Sequence, residues 1–220
     1  MVRLKKPSLI VNFKTFEVAT GKNSDKLAKK LDIPGIIVAV QNADIYRVKK
    51  AVGCIVFAQH VDPQGHGQFT GHDNACALKE NGAEGVIINH SEDRVDLETI
   101  RKNIEICKKV GLISLVCISG HDKAEEVARM NPDVIAVEPP ELIGTGISVT
   151  KAKPEVVTKT VEIVRKANKN IVVLCGAGVS TPEDAGKAIT LGCDGVLLAS
   201  AVVLSKQPNK LAREMMKAMK

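Results

Sequence analysis

The same two-part unit is written eight times along this chain: a short Val/Ile-rich run, then a charged segment with helical periodicity. The runs read SLIVNF, GIIVAVQ, CIVFAQ, GVIINH, ISLVCIS, DVIAVE, NIVVLCG and DGVLLAS. Uninterrupted apolar runs of this length suit strands buried on both faces, the condition of a parallel sheet. Between them the spacing predicts helices that include 24–32, 43–52, 96–110, 122–130, 154–168, 181–190 and about 209–219, whose starts carry Asp, Ser, Thr or Pro. Strict strand–helix alternation implies a parallel sheet, and eight units imply a closed (β/α)8 barrel, for which 220 residues is near the lower size limit. An open doubly wound sheet would carry its glycine-rich phosphate turn after the first strand. Here that position reads VNFKTF, and the glycine-rich turns follow strands six, seven and eight. No linker or low-complexity segment divides the chain, so residues 1–220 are expected to form one domain.

Composition narrows the function. Hydrophobic residues make up 45% and charged residues 25%, ordinary for a globular protein in water. No apolar run reaches the ~18–20 residues that span a bilayer, and the basic start lacks the long apolar run and cleavage pattern of a secretory signal. The formal charge of +6 favours anionic partners. The lysines are dispersed and aromatics are only 2%, which leaves few platforms for stacking bases, so a small anionic substrate is the reading and nucleic acid is not. None of the six cysteines forms a C-x-x-C pair, and most lie in apolar runs, as buried free thiols of a reducing cytoplasm do.

In a barrel, residues at the C-terminal ends of the strands face the mouth. After strand one come Asn12 and Lys14, two residues apart and on one face if the strand continues; if it has ended, Lys14 is a solvated loop lysine. After strand four, Val86, Ile88 and His90 alternate onto one face, which would turn His90 inward beside the opening of a helix that keeps its imidazole neutral. The alternative is a capped structural histidine. After strand three, His60, His66 and His72 surround a long loop. Their spacing matches no recognised metal-ligand pattern and no supporting carboxylates are evident, so no metal is assigned. After strand six, Val134, Ala136 and Glu138 share a face, and Pro139 keeps Glu138 extended. Glu141 falls beyond both prolines, so Glu138 is the better base. Gly144 and Gly146 then form a donor-rich lid tip. After strand seven, Gly176 and Gly178 leave backbone N–H groups exposed, with Ser180 or Thr181 as cap. After strand eight, Ala199 and Ser200 sit at another helix start. These small residues form a phosphate clamp, or else merely make tight turns.

The ordered set NFK, FTGH, NHSE, VEPPELIGTG, CGAG and LLAS resembles the triosephosphate isomerase family, in its shorter archaeal-type form, through nearly the whole chain. The resemblance implies interconversion of a small phosphorylated triose, dihydroxyacetone phosphate, with D-glyceraldehyde 3-phosphate through an enediol(ate), in glycolysis and gluconeogenesis, with no cofactor and no metal. It implies Glu138 as catalytic base, His90 as electrophile and Lys14 as fixed cation. It also implies Asn12 at the substrate, Glu92 as a supporting carboxylate, and Ile143, Gly144, Gly178, Ala199 and Ser200 at the phosphate. Thr70 and Gly71 fall in the loop that, in the family, enters the neighbouring subunit, which implies a homo-oligomer, dimer or tetramer. Ala199-Ser200 and Pro140-Glu141 depart from the bacterial and eukaryotic form and agree with the archaeal pattern. The short segment 21–41 implies trimmed outer helices.

Overall fold

In the computed structural model, which describes residues 4–139 and 149–220, eight parallel strands close into a barrel in chain order. They are β1 Ser8–Asn12, β2 Ile36–Val40, β3 Ile55–Ala58, β4 Gly85–Ile88, β5 Ile113–Ile118, β6 Val134–Val137, β7 Val172–Cys175 and β8 Gly195–Leu198. Closure is made where β1 pairs with β8, Ser8 lying opposite Gly195. The helices are α1 Lys22–Lys30, α2 Ile45–Ala51, α3 Ala75–Glu80, α4 Leu97–Val110, α5 Ala124–Arg129, α6 Val149–Ala152, α7 Pro154–Ala167, α8 Pro182–Thr190, α9 Ser200–Val203 and α10 Pro208–Ala218. Each expected helix is present, shortened where a 3-10 turn takes its first residues, as at Asn42–Asp44 and His121–Lys123. The short α3, α6 and α9 fall outside the predicted ranges, being too brief for helical periodicity to register. Among the described residues no helix is long and apolar enough to cross a membrane.

The alternation of each strand splits the core into two layers. Ile10, Ile37, Phe57, Ile87, Leu115, Val134, Leu174 and Leu197 fill the barrel. Leu9, Val11, Val38, Val56, Val86, Ile88, Ile135, Val173 and Val196 face outward onto the helices. A strand buried on both faces has no polar face to show, which explains the continuous apolar runs. Each such side chain removed from water contributes about 1.5–3 kcal/mol. Inside the barrel, bulk on one strand is matched by its lack on the next. A Cβ at Gly85 would stand 2.5 Å from the Phe57 ring, so glycine there makes the room that Phe57 fills.

Helix starts follow local chemistry. Asn74 caps α3, Asp96 caps α4, and Thr181 caps α8 in a reciprocal box with Asp184. Such caps hold N–H groups the helix cannot satisfy, at about 1 kcal/mol each. All six cysteines are free thiols, four of them buried.

Candidate active site

The C-terminal ends of the strands surround a cavity of about 360 Å³, lined by Asn12, Lys14, His90, Glu138 and the turns after β7 and β8. Glu138 enters as expected. Val134 and Ala136 point into the barrel, and the ladder continues through Glu138, whose N–H donates to the Ile118 carbonyl at 2.8 Å. The carboxyl is 2% exposed, and its Oε2 has no hydrogen-bond partner among the described residues. Burial raises its pKa above the ordinary value, while His90, Cys117 and Lys14 pull the other way.

Lys14 arrives by a different route from the expected one. The strand ends at Asn12, and Lys14 sits in the left-handed region at φ 47°. Side chains hold both backbone polar groups of this strained residue: its N–H donates to Asn12 Oδ1 at 2.9 Å, and its carbonyl accepts from Gln59 Nε2 at 3.1 Å. The ammonium group meets Glu92 at 2.5 Å.

His90 corrects the sequence argument. Val86 and Ile88 face outward, so simple alternation would have carried His90 out with them. Asn89, at φ 60°, breaks the alternation and returns His90 to the cavity, where it is 8% exposed. The helix start is not beside it either: α4 begins at Leu97, capped by Asp96. What fixes the ring is the Glu92 N–H, which donates to His90 Nδ1 at 3.3 Å. A nitrogen that accepts carries no proton, so the proton lies on Nε2, 3.8 Å from Glu138 Oε1. The Glu92 carboxylate, 3.6 Å from Nδ1, is beyond hydrogen-bonding distance.

The small-residue turns divide. Gly176 does not offer a free N–H, because that group donates to the Val137 carbonyl at 2.9 Å. Its role is room: a Cβ there would stand 2.4 Å from Glu138 Cγ. Gly178, at φ 67°, lines the cavity with Ala199 and Ser200. Ile143 and Gly144, with Glu141 and Gly146, lie outside the described residues. Thr70 and Gly71 are exposed and do not line the cavity. Cys117 was missed: the last inward residue of β5, its thiol is within hydrogen-bonding reach of Glu138. The same inward alternation that singled out Glu138 would have found it. Around His60, carboxylates that the sequence did not reveal are present, namely Asp62, Asp73 and Asp93.

A closed parallel barrel whose mouth gathers a buried carboxyl, an imidazole and an ammonium is the architecture of a (β/α)8-barrel enzyme. The comparisons are specific about which. The sequence model of the family described as triosephosphate isomerase matches residues 7–215. The triosephosphate isomerase of Methanothermus fervidus is 45% identical over 98% of this chain and all of its own length. Those of Methanocaldococcus jannaschii and Methanosarcina barkeri are 44% and 42% identical, over 95% and 96% of this chain and 98% of each relative. The chain belongs to the triosephosphate isomerase family.

Proposed function

We propose that this protein interconverts dihydroxyacetone phosphate and D-glyceraldehyde 3-phosphate as a step of glycolysis and gluconeogenesis in the cytoplasm. The observation that carries the reading is the convergence of a buried carboxyl, a Nε2-protonated imidazole and a lysine on one cavity. Glu138 removes a proton from the carbon beside the carbonyl and returns it to the neighbouring carbon. His90 donates from Nε2 to the carbonyl oxygen and moves protons between the two oxygens of the enediol, the division of labour established for this family. Lys14 stabilises the negative oxygen that develops, and Asn12 binds beside it. Glu92 holds the Lys14 ammonium between turnovers. Gly178, Ala199 and Ser200 bind phosphate through backbone N–H groups, with Ile143 and Gly144 closing over it as a lid that excludes water. This chemistry is done by side chains alone and calls for neither cofactor nor metal.

A coupled assay with dihydroxyacetone phosphate tests the activity directly. Glu138→Gln should lower turnover by at least ~10²-fold while a phosphate-bearing inhibitor still binds. If Glu141→Gln does that damage instead, the base is misassigned.

The protein acts as a homo-oligomer, assembled through the loop after β3. Supporting this, Phe69 in that loop is 46% exposed and Tyr46 on α2 is 58% exposed, large apolar groups that a partner would cover. Sedimentation velocity should give a dimer or tetramer, and Phe69→Asp should shift it toward monomer; a wild-type monomer would sink the idea.

A further inference from the structure

At the base of the loop after β3, ligand-type groups converge. The ligand atoms of His60, Asp62 and Asp73 all lie within 4.8 Å of one another. The loop's own backbone brings the two aspartates together. Asp62 N–H donates to the Asp73 carbonyl at 3.1 Å, and Asp73 N–H donates to Asp62 Oδ2 at 2.8 Å. None of the three lines the 360 Å³ cavity, although His60 and Asp93 border a smaller one, of about 200 Å³, beside Lys14, His90 and Glu92.

Two features separate this cluster from a chance meeting of surface acids. The first is orientation. His60 Nδ1 lies 2.6 Å from Asp93 Oδ2, on the turn after β4. The Asp93 carboxylate holds a proton on Nδ1 and turns Nε2 toward Asp62 Oδ1, 3.3 Å away, where an incoming cation would displace the proton that Nε2 and Asp62 share. Carboxylate–histidine support of this kind fixes the tautomer and raises the basicity of metal-binding histidines. Nitrogen and oxygen ligands at the ~2.0–2.1 Å bond lengths of a tetrahedral site stand about 3.3 Å apart, the spacing of His60 Nε2 and Asp62 Oδ1. The second feature is charge. Asp62, Asp73 and Asp93 form no ion pair with any lysine or arginine among the described residues, although the chain carries a net +6. Their polar side-chain partners among the described residues are His60, His72 and the Asn42 amide, so three carboxylates share one small region in which only histidines can carry positive charge.

We propose that His60 Nε2, Asp62 and Asp73 bind a divalent transition ion of the zinc class, with Asp93 orienting the imidazole. One nitrogen and two oxygens with no thiolate suit Zn²⁺ and Co²⁺, and three protein ligands leave a position for water. The ion pins the two ends of the loop that carries Phe69, Thr70 and Gly71, so it acts on the order of that loop and on stability, with no part in proton transfer.

The test uses the full chain stripped with a chelator and titrated with ZnCl₂ or CoCl₂ in a calorimeter. The expected result is one ion per chain and a rise in melting temperature with zinc. The cobalt complex should absorb in the visible region without a thiolate charge-transfer band. His60→Gln and Asp73→Asn should each weaken binding by at least about tenfold, Asp93→Asn by about tenfold, and His66→Gln not at all. Melting curves in chelator show which variants fold, and if His60→Gln does not, the two aspartate variants carry the comparison. The proposal is overturned if neither ion binds the wild type. It is equally overturned if affinity survives in His60→Gln and Asp73→Asn, or if cobalt shows thiolate ligation, either of which marks an adventitious site.

Discussion

Glu138 is almost wholly buried at the wall of the cavity, and the consequence for pH is direct. Burial raises its pKa, with His90, Cys117 and Lys14 acting in the opposite sense. A base works only when ionised, so activity is present above that raised value and is lost as pH falls through it. The acid limb of kcat/KM should therefore lie above the ~4.3 of an ordinary glutamate. A pH–rate profile that stays flat down to about pH 4 would show that the ionisation of Glu138 does not limit the reaction. The inward aim of Glu138 was legible in sequence because β6 alternates cleanly up to the first proline. The positions of Lys14 and His90 were legible only as positions. Their directions depend on left-handed φ angles at Lys14 itself and at Asn89, and neither residue type announces that conformation. Asn89 is the kind of residue that tolerates it, and its side chain secures the turn by accepting from the Val95 N–H and donating to the Cys117 carbonyl.

At the scale of elements, β6 and β7 set the base together. Their register puts Ala136 opposite Leu174, and the next inward residues up are Glu138 and Gly176. Gly176→Ala should leave the barrel folded by circular dichroism and lower kcat by about 10–10²-fold, since the Glu138 side chain must move off a Cβ that would stand 2.4 Å from its Cγ. Unchanged kcat would mean that Glu138 is not confined from this side. The sequence marked Gly176 as important for another reason, its N–H, because backbone donors are what a glycine-rich turn usually supplies. Whether that donor is free depends on pairing with β6, which is a tertiary fact. The caps were better specified. Thr181, Pro182 and Asp184 are a local signature, and α8 begins where they say.

The whole barrel closes where first and last strands meet, and Asp194 ties that seam. Its backbone carbonyl accepts from the Ser8 N–H at 3.1 Å, and its carboxylate accepts from the Val173 N–H at 2.9 Å. The same carboxylate pairs with Lys6 and Arg165. Burial works against ionisation, but the Val173 N–H, Lys6 and Arg165 outweigh it and hold the carboxyl below its usual range. A depressed folded pKa stabilises fully above the unfolded value of about 3.9 and is lost as pH falls through the folded value. Urea unfolding followed from pH 6 to about pH 2 should lose stability in that acid window, and Asp194→Asn should flatten the loss. An unaltered acid slope in the variant would remove Asp194 from the seam. Eight repeats of strand and helix made the closed barrel readable from the chain, but not this knot, because its members come from four separate segments.

Asn89 has one more consequence. Because a single left-handed residue reverses which way the following side chain faces, pleat and aim are set independently in this molecule. In engineering terms, the barrel is a chassis and the mouth a mounting plate: β4 can be repacked against α4 without re-aiming the imidazole, provided the residue that turns the corner is kept.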